Sequence, residues 1–162
     1  MSNDAQFTHA HMVRFERSID ASPAAIWAVL TDTNRLPGWY GADGILEGQV
    51  GGAVSFLTGH IRGTITQWNP SKRLAHSWNV FAPGETESRF PESYLTLELD
   101  GGALALAHLP VLEAFVKLNA MGWHTFLDMV DAAARGATVE PREAYMKRNA
   151  ARYGVDLSKL PS

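Results

Sequence analysis

Along residues 112–135, LEAFVKLNAMGWHTFLDMVDAAAR, Asn119, Trp123, Phe126, Leu127, Val130 and Ala134 recur at the i, i+3, i+4 spacing of one helical face. His124, Asp128, Asp131 and Arg135 fall on the opposite face, assigned to solvent, and Gly136 supplies a stop. Upstream the period changes to two. Over residues 12–19, Val13, Phe15 and Ile19 share one strand face, interrupted by Arg17, against Arg14, Glu16 and Ser18. Ser22 and Pro23 then open a helix over 24–31 that buries Ile26, Trp27 and Leu30. Asp32 or Thr33 caps a second short helix that ends near Pro37 and Gly38, leaving Trp39 and Tyr40 on a loop. Strands follow over 53–57, 60–68, 73–80, 94–99 and 103–109, separated by glycine-rich, Asn-Pro and Asp-Gly-Gly turns. Leu74, His76, Trp78 and Val80 share one strand face; Leu95, Leu97 and Leu99 alternate with Tyr94, Thr96 and Glu98. A long amphipathic helix after a run of strands predicts an α+β fold: a curved antiparallel sheet of about six or seven strands with the helix across its concave face. The organisation read from this is a flexible N-terminus over 1–11, one domain over 12–136, and an extension over 137–162 with a short basic helix from Pro141 to about Arg152.

Composition narrows the classes of function. The chain has 162 residues, 46% hydrophobic and 19% charged, enough for one domain with a sizeable core. A net charge of −3 without any block of like charge argues against nucleic acid and against an anionic membrane surface. No cysteine is present, so thiolate chemistry and disulfides are excluded. The N-terminal residues lack an apolar signal core and no apolar run reaches membrane-spanning length. A soluble cytoplasmic protein, with no membrane insertion, is the expectation. The glycines of 41–52 are not followed by Lys-Ser/Thr and lack dinucleotide spacing, so they read as hairpin turns.

Candidate chemistry is sparse. His108 lies on a strand face with Leu104 and Leu106, where an imidazole either contacts a ligand or is a satisfied core residue. His76 is similar. No pair of histidines has dependable metal spacing, so no metal and no cofactor are expected. Glu98 belongs to the outward set if Leu95, Leu97 and Leu99 point inward, and Arg62 reads as a surface strand residue. No catalytic residue is assigned; the one acid–base sketch pairs His108 with Tyr94. The five tryptophans suit either a core or the wall of an apolar pocket.

The order strand, two short helices, strands and long helix resembles the START-like (SRPBCC) helix-grip superfamily. The likeness is closest to the subgroup named after the C-terminal domain of the activator of the heat-shock-protein-ninety ATPase. Residues 15–31, FERSIDASPAAIWAVLT, look like its opening, and Leu36 with Trp39 and Tyr40 like its second helix. Gly63, Thr64 and Ile65, then Asn69-Pro70, Arg73-Leu74 and Ser77-Trp78, resemble its central hairpin. Gly122, Trp123 and Leu127 resemble its last helix. The resemblance spans about residues 13–136 and implies the helix-grip fold, which hosts ligand carriers, cyclases, lipid-transfer domains and co-chaperone domains. It would bring Trp39, Trp78 and Trp123 together. The function it implies is binding of a small, largely apolar molecule between sheet and last helix, lined by Trp39, Phe56, Trp78, Leu97, Leu106, His108 and Trp123. Alternatives are a stress-response or co-chaperone-like interaction module, and a hydrolase or cyclase acting on an aromatic or polyketide-like substrate. The small apolar molecule and a second copy in a homodimer are the expected partners.

Overall fold

Ser22 begins the helical part of the molecule. Its hydroxyl accepts from the Ala25 backbone N–H at 3.1 Å, and Pro23 takes the first helical position, where no N–H is needed. The computed structural model describes residues 3–160; the outermost residues of the N-terminal segment and of the C-terminal extension, 1–2 and 161–162, lie outside the described residues. The order is β1 (His11–Ser18), α1 (Pro23–Thr31), α2 (Pro37–Tyr40), β2 (Ile45–Leu46), β3 (Ala53–Phe56), β4 (Ile61–Asn69), β5 (Arg73–Val80), β6 (Ser93–Asp100), β7 (Ala103–Val111), α3 (Val116–Ala134) and α4 (Arg142–Tyr153). One turn of 3-10 helix, Glu113–Phe115, leads into α3.

The seven strands form one antiparallel sheet in the order β1-β7-β6-β5-β4-β3-β2, curved around α3. Alternation decides which side chains go in. Leu95, Leu97, Leu104 and Leu106 are buried under the helix, and Glu98 turns outward to pair with Arg73. At Gly63 the neighbouring strand comes so close that a Cβ there would stand 1.8 Å from the Ser77 carbonyl oxygen, and the ladder slips its register between Ile65 and Gln67.

Two local expectations are corrected. The second helix does not end at Pro37; it starts there. Proline suits the first helical position, and the N–H groups of Trp39 and Tyr40 bond to the Leu36 carbonyl. Trp39 and Tyr40 are therefore helical and buried. The polar face of α3 is not solvated either. The α4 helix runs back along it, with Tyr153 Oη 2.8 Å from His124 Nδ1 and Asn149 bonded to Thr125 and Asp128. Arg17, from the inner face of β1, reaches Asp128 at 2.7 Å. Charge on that face is neutralised by partners rather than by water, which sequence periodicity cannot distinguish.

Candidate functional site

The concave face of the sheet, α2 and α3 together close a circuit of aromatic rings. Trp39 lies 5.6 Å from Trp123, and Trp123 lies 5.0 Å from Trp78. Trp78 stacks on His76 at 6.0 Å, and His76 meets Phe56 edge-on at 5.9 Å. The circuit returns through Tyr40 at 4.9 Å from Phe56, then Phe126 at 6.2 Å, and back to Trp39 at 5.0 Å. These seven rings come from only four elements: α2, β3, β5 and α3. They surround a cavity of about 10 Å³, completed by Leu30, Leu46, Leu74, Leu95 and Leu97. Space of that size matches about one water molecule, far below what a drug-sized ligand occupies.

Of the residues predicted to line the space, Trp39, Phe56, Trp78, Leu97 and Trp123 stand on the wall. Leu106 is fully buried on the same face of the sheet but is not part of the wall. His108 sits behind it, 5.5 Å from Trp78 and 5.6 Å from Trp123. Tyr40, His76 and Phe126 were not singled out as lining. Phe126 belongs to the helical stripe and His76 shares the strand face of Trp78, so the signal was present for both.

His108 is held by three neighbours. Trp123 Nε1 donates to its Nδ1 at 2.9 Å, and its Nε2 lies 2.7 Å from Ser93 Oγ. An indole N–H has no acceptor capacity, so Nδ1 carries the lone pair and Nε2 the proton. Nε2 then donates to Ser93, whose hydroxyl donates onward to the Trp78 carbonyl at 3.2 Å. The Asn119 carboxamide oxygen is 3.0 Å from the same Nδ1; in this tautomer the amide is favoured in the orientation turned by a half rotation, with its NH₂ toward the ring. Ser93 was missed because it lies just before the predicted strand. The hairpin register pairs Leu95 with His108, which makes Ser93 a diagonal neighbour on the same face. Tyr94, the sketched partner, points outward and bonds Glu92 instead.

Burial lowers the His108 pKa from 6.5 to about 4, with His76 adding to the lowering. The unfolded chain binds a proton between those values and the folded one does not. Stability is therefore complete above pH 6.5 and is lost as pH falls toward 4, by roughly 3 kcal/mol at 1.36 kcal/mol for each tenfold. Urea unfolding near neutral pH and near pH 4 should show a loss of this size, and His108→Gln should lose markedly less. An equal acid loss in both proteins would contradict the assignment.

A second, open groove of about 400 Å³ lies between β1, α3 and α4. Its arginines are already matched: Arg17 with Asp128 at 2.7 Å, Arg135 with Asp131 at 2.6 Å and Arg148 with Glu140 at 2.6 Å. No charge is left there to recruit a ligand ion. Arg142, at the start of α4, instead lays its guanidinium over Trp39, 4.8 Å from the ring centre. Arg62 lies over Phe81 on the surface. No group of three or more potential metal ligands occurs among the described residues. No helix among them is long and apolar enough to cross a membrane.

The architecture has solved relatives. CalU16 from Micromonospora echinospora is 25% identical, with a TM-score of 0.66 over 90% of this chain and 87% of that one. DynU16, described as a protein of the dynemicin biosynthetic locus, is 21% identical with a TM-score of 0.61, over 81% of this chain and 49% of that one. The Aha1 dimer from Colwellia psychrerythraea is 22% identical with a TM-score of 0.58, over 76% of this chain and 96% of that one. No curated protein sequence matches significantly. The family profile described as activator of Hsp90 ATPase homolog 1-like protein matches residues 20–134, which run from the turn before α1 to the last residue of α3. The chain belongs to that family, within the START-like helix-grip class.

Proposed function

We propose that the protein binds a small, largely apolar molecule inside the circuit of aromatic rings, between the sheet and α3. The observation that supports this is the circuit itself: seven rings from four elements surround a space that none of them fills. Family membership and structural relatives such as the dynemicin-locus protein support ligand-binding or cyclase-like roles in general. Because the space is no larger than about one water, a ligand fits only by parting rings. The element suited to move is α2. It is four residues long and has no side-chain N-cap; its Tyr40 hydroxyl is tied to the Leu30 carbonyl at 2.9 Å.

A hydrolase reading is disfavoured by the tautomer. Ser93, His108 and Asn119 are in line, but Trp123 holds the proton on the nitrogen facing Ser93, so the imidazole cannot take the serine proton. A protein-interaction reading rests on Phe90 and Phe115, half-exposed and in edge contact at 5.3 Å, beside exposed Leu112. The relative solved as a dimer supports a second copy as the partner in that reading.

Native mass spectrometry of the purified protein, compared with the denatured sample, tests the proposal together with a naphthalene titration. The expected result is a small mass lost on denaturation. Naphthalene should also shift the indole resonances of Trp39, Trp78 and Trp123, but not those of the separate Trp27–Trp68 pair. No adduct, together with no shift at naphthalene saturation, would remove the ligand-binding reading. A dimer mass in that case would favour the interaction surface.

A further inference from the structure

The wall of the cavity is apolar apart from a few groups, and one of them has an unused hydrogen-bonding atom. His76 is 2% exposed, at the middle of β5, and its ring lines the cavity. Its Nδ1 lies 2.9 Å from the Ser77 carbonyl oxygen. A carbonyl only accepts, so Nδ1 carries the proton and Nε2 is left as a bare acceptor. Nε2 has no partner among the described residues. With Cε1 it is the ring atom farthest from the backbone, on a ring that lines the cavity. Stacking on Trp78 and edge contact with Phe56 fix the plane of the ring.

We infer that His76 Nε2 is the polar anchor of the site and accepts a hydrogen bond from the hydroxyl of a neutral, otherwise apolar aromatic ligand. This rests on the ligand-binding reading and adds the chemical class of the ligand. Two features select a neutral hydroxyl over a carboxylate. The Nε2 lone pair repels an anion. Tyr40, also on the wall, donates its hydroxyl proton to the Leu30 carbonyl, so its oxygen too can only accept. Burial also lowers the His76 pKa, the contact with Ser77 opposing it, so the ring stays a neutral acceptor near neutral pH.

The test compares naphthol with its methyl ether, which matches it in shape but has no proton to donate. On the wild-type protein naphthol should bind about tenfold more tightly, the size of one good neutral hydrogen bond. In His76→Phe, which keeps an aromatic ring on the wall, the preference should vanish while the ether binds as before. Nitrogen NMR supplies a reading that needs no variant: the His76 Nε2 resonance should move on adding naphthol and stay on adding the ether. Equal affinity of the two probes for the wild type would overturn the anchor and leave the ligand-binding reading standing. So would a preference that survives in His76→Phe or an unmoved Nε2 resonance. If neither probe binds, both readings fall together.

Discussion

Gly63→Ala is expected to leave the protein largely unfolded, with a loss of more than about 4 kcal/mol in urea titration, a size reserved for a short list of causes. The cause here is backbone against backbone. An added Cβ would stand 1.8 Å from the Ser77 carbonyl oxygen and 2.6 Å from its carbon, and neither atom can rotate away. The strands must separate at that level. Separation also breaks the bond from the Thr64 N–H to Ser77 Oγ, 2.9 Å long. Beside it lie His76 and Trp78, both on the aromatic circuit, so the damage reaches the interior directly. Total stabilities of domains this size run to only about 5–15 kcal/mol, so soluble expression itself should suffer. A loss below about 1 kcal/mol would show that the close approach is not maintained in solution.

Trp123→Ala should cost about 3–5 kcal/mol from the space left behind, and about 1 kcal/mol more from losing the indole donor to His108 Nδ1, which keeps the Asn119 amide as a neighbour. Trp123 is 4% exposed and touches Trp39, Trp78, His108 and Phe126. Trp123→Phe is the milder change. It keeps a ring in place but removes the N–H together with two ring carbons, so about 1–3 kcal/mol is expected from both losses together. It also frees the imidazole to change tautomer. With the indole donor gone, the Asn119 amide can turn its oxygen back to the ring and accept from a protonated Nδ1, and the Ser93 hydroxyl can donate to Nε2. Nitrogen NMR of the variant should show the His108 proton moving from Nε2 to Nδ1. An unchanged tautomer would mean that Ser93 and Asn119, not Trp123, set it.

How much of this was legible in the sequence follows from the range of each interaction. The outward turn of Glu98 was readable because β6 has one wet face and one dry one, and parity alone assigns Leu95, Leu97 and Leu99. The long helix and its apolar stripe were readable for the same reason. The fate of His124 and Asp128 was not, because their partners are Tyr153 and Asn149 on α4 and Arg17 on β1, distant in the chain. The helical placement of Trp39 was not legible, because Pro37 and Gly38 signal a turn as readily as a helix start. Within the site, aromatic residue types pointed to Trp39, Phe56, Trp78 and Trp123. That the rings nearly close on one another was beyond reach, since cavity size depends on how rotamers interdigitate.

The line of contact from Trp39 through Trp123 to Trp78, with ring centres 5.6 and 5.0 Å apart, has an optical consequence. Indoles this close share their electronic excitation, so their near-ultraviolet dichroism reports the mutual orientation of the three rings rather than each ring's surroundings. Trp27 and Trp68, 5.0 Å apart, form a second such pair away from the cavity and supply an internal reference. An opening at α2 would carry Trp39 away from Trp123 and uncouple one oscillator from the set, while the reference pair kept its signal. The chain therefore holds a label-free gauge of the movement that uptake of a ligand would require.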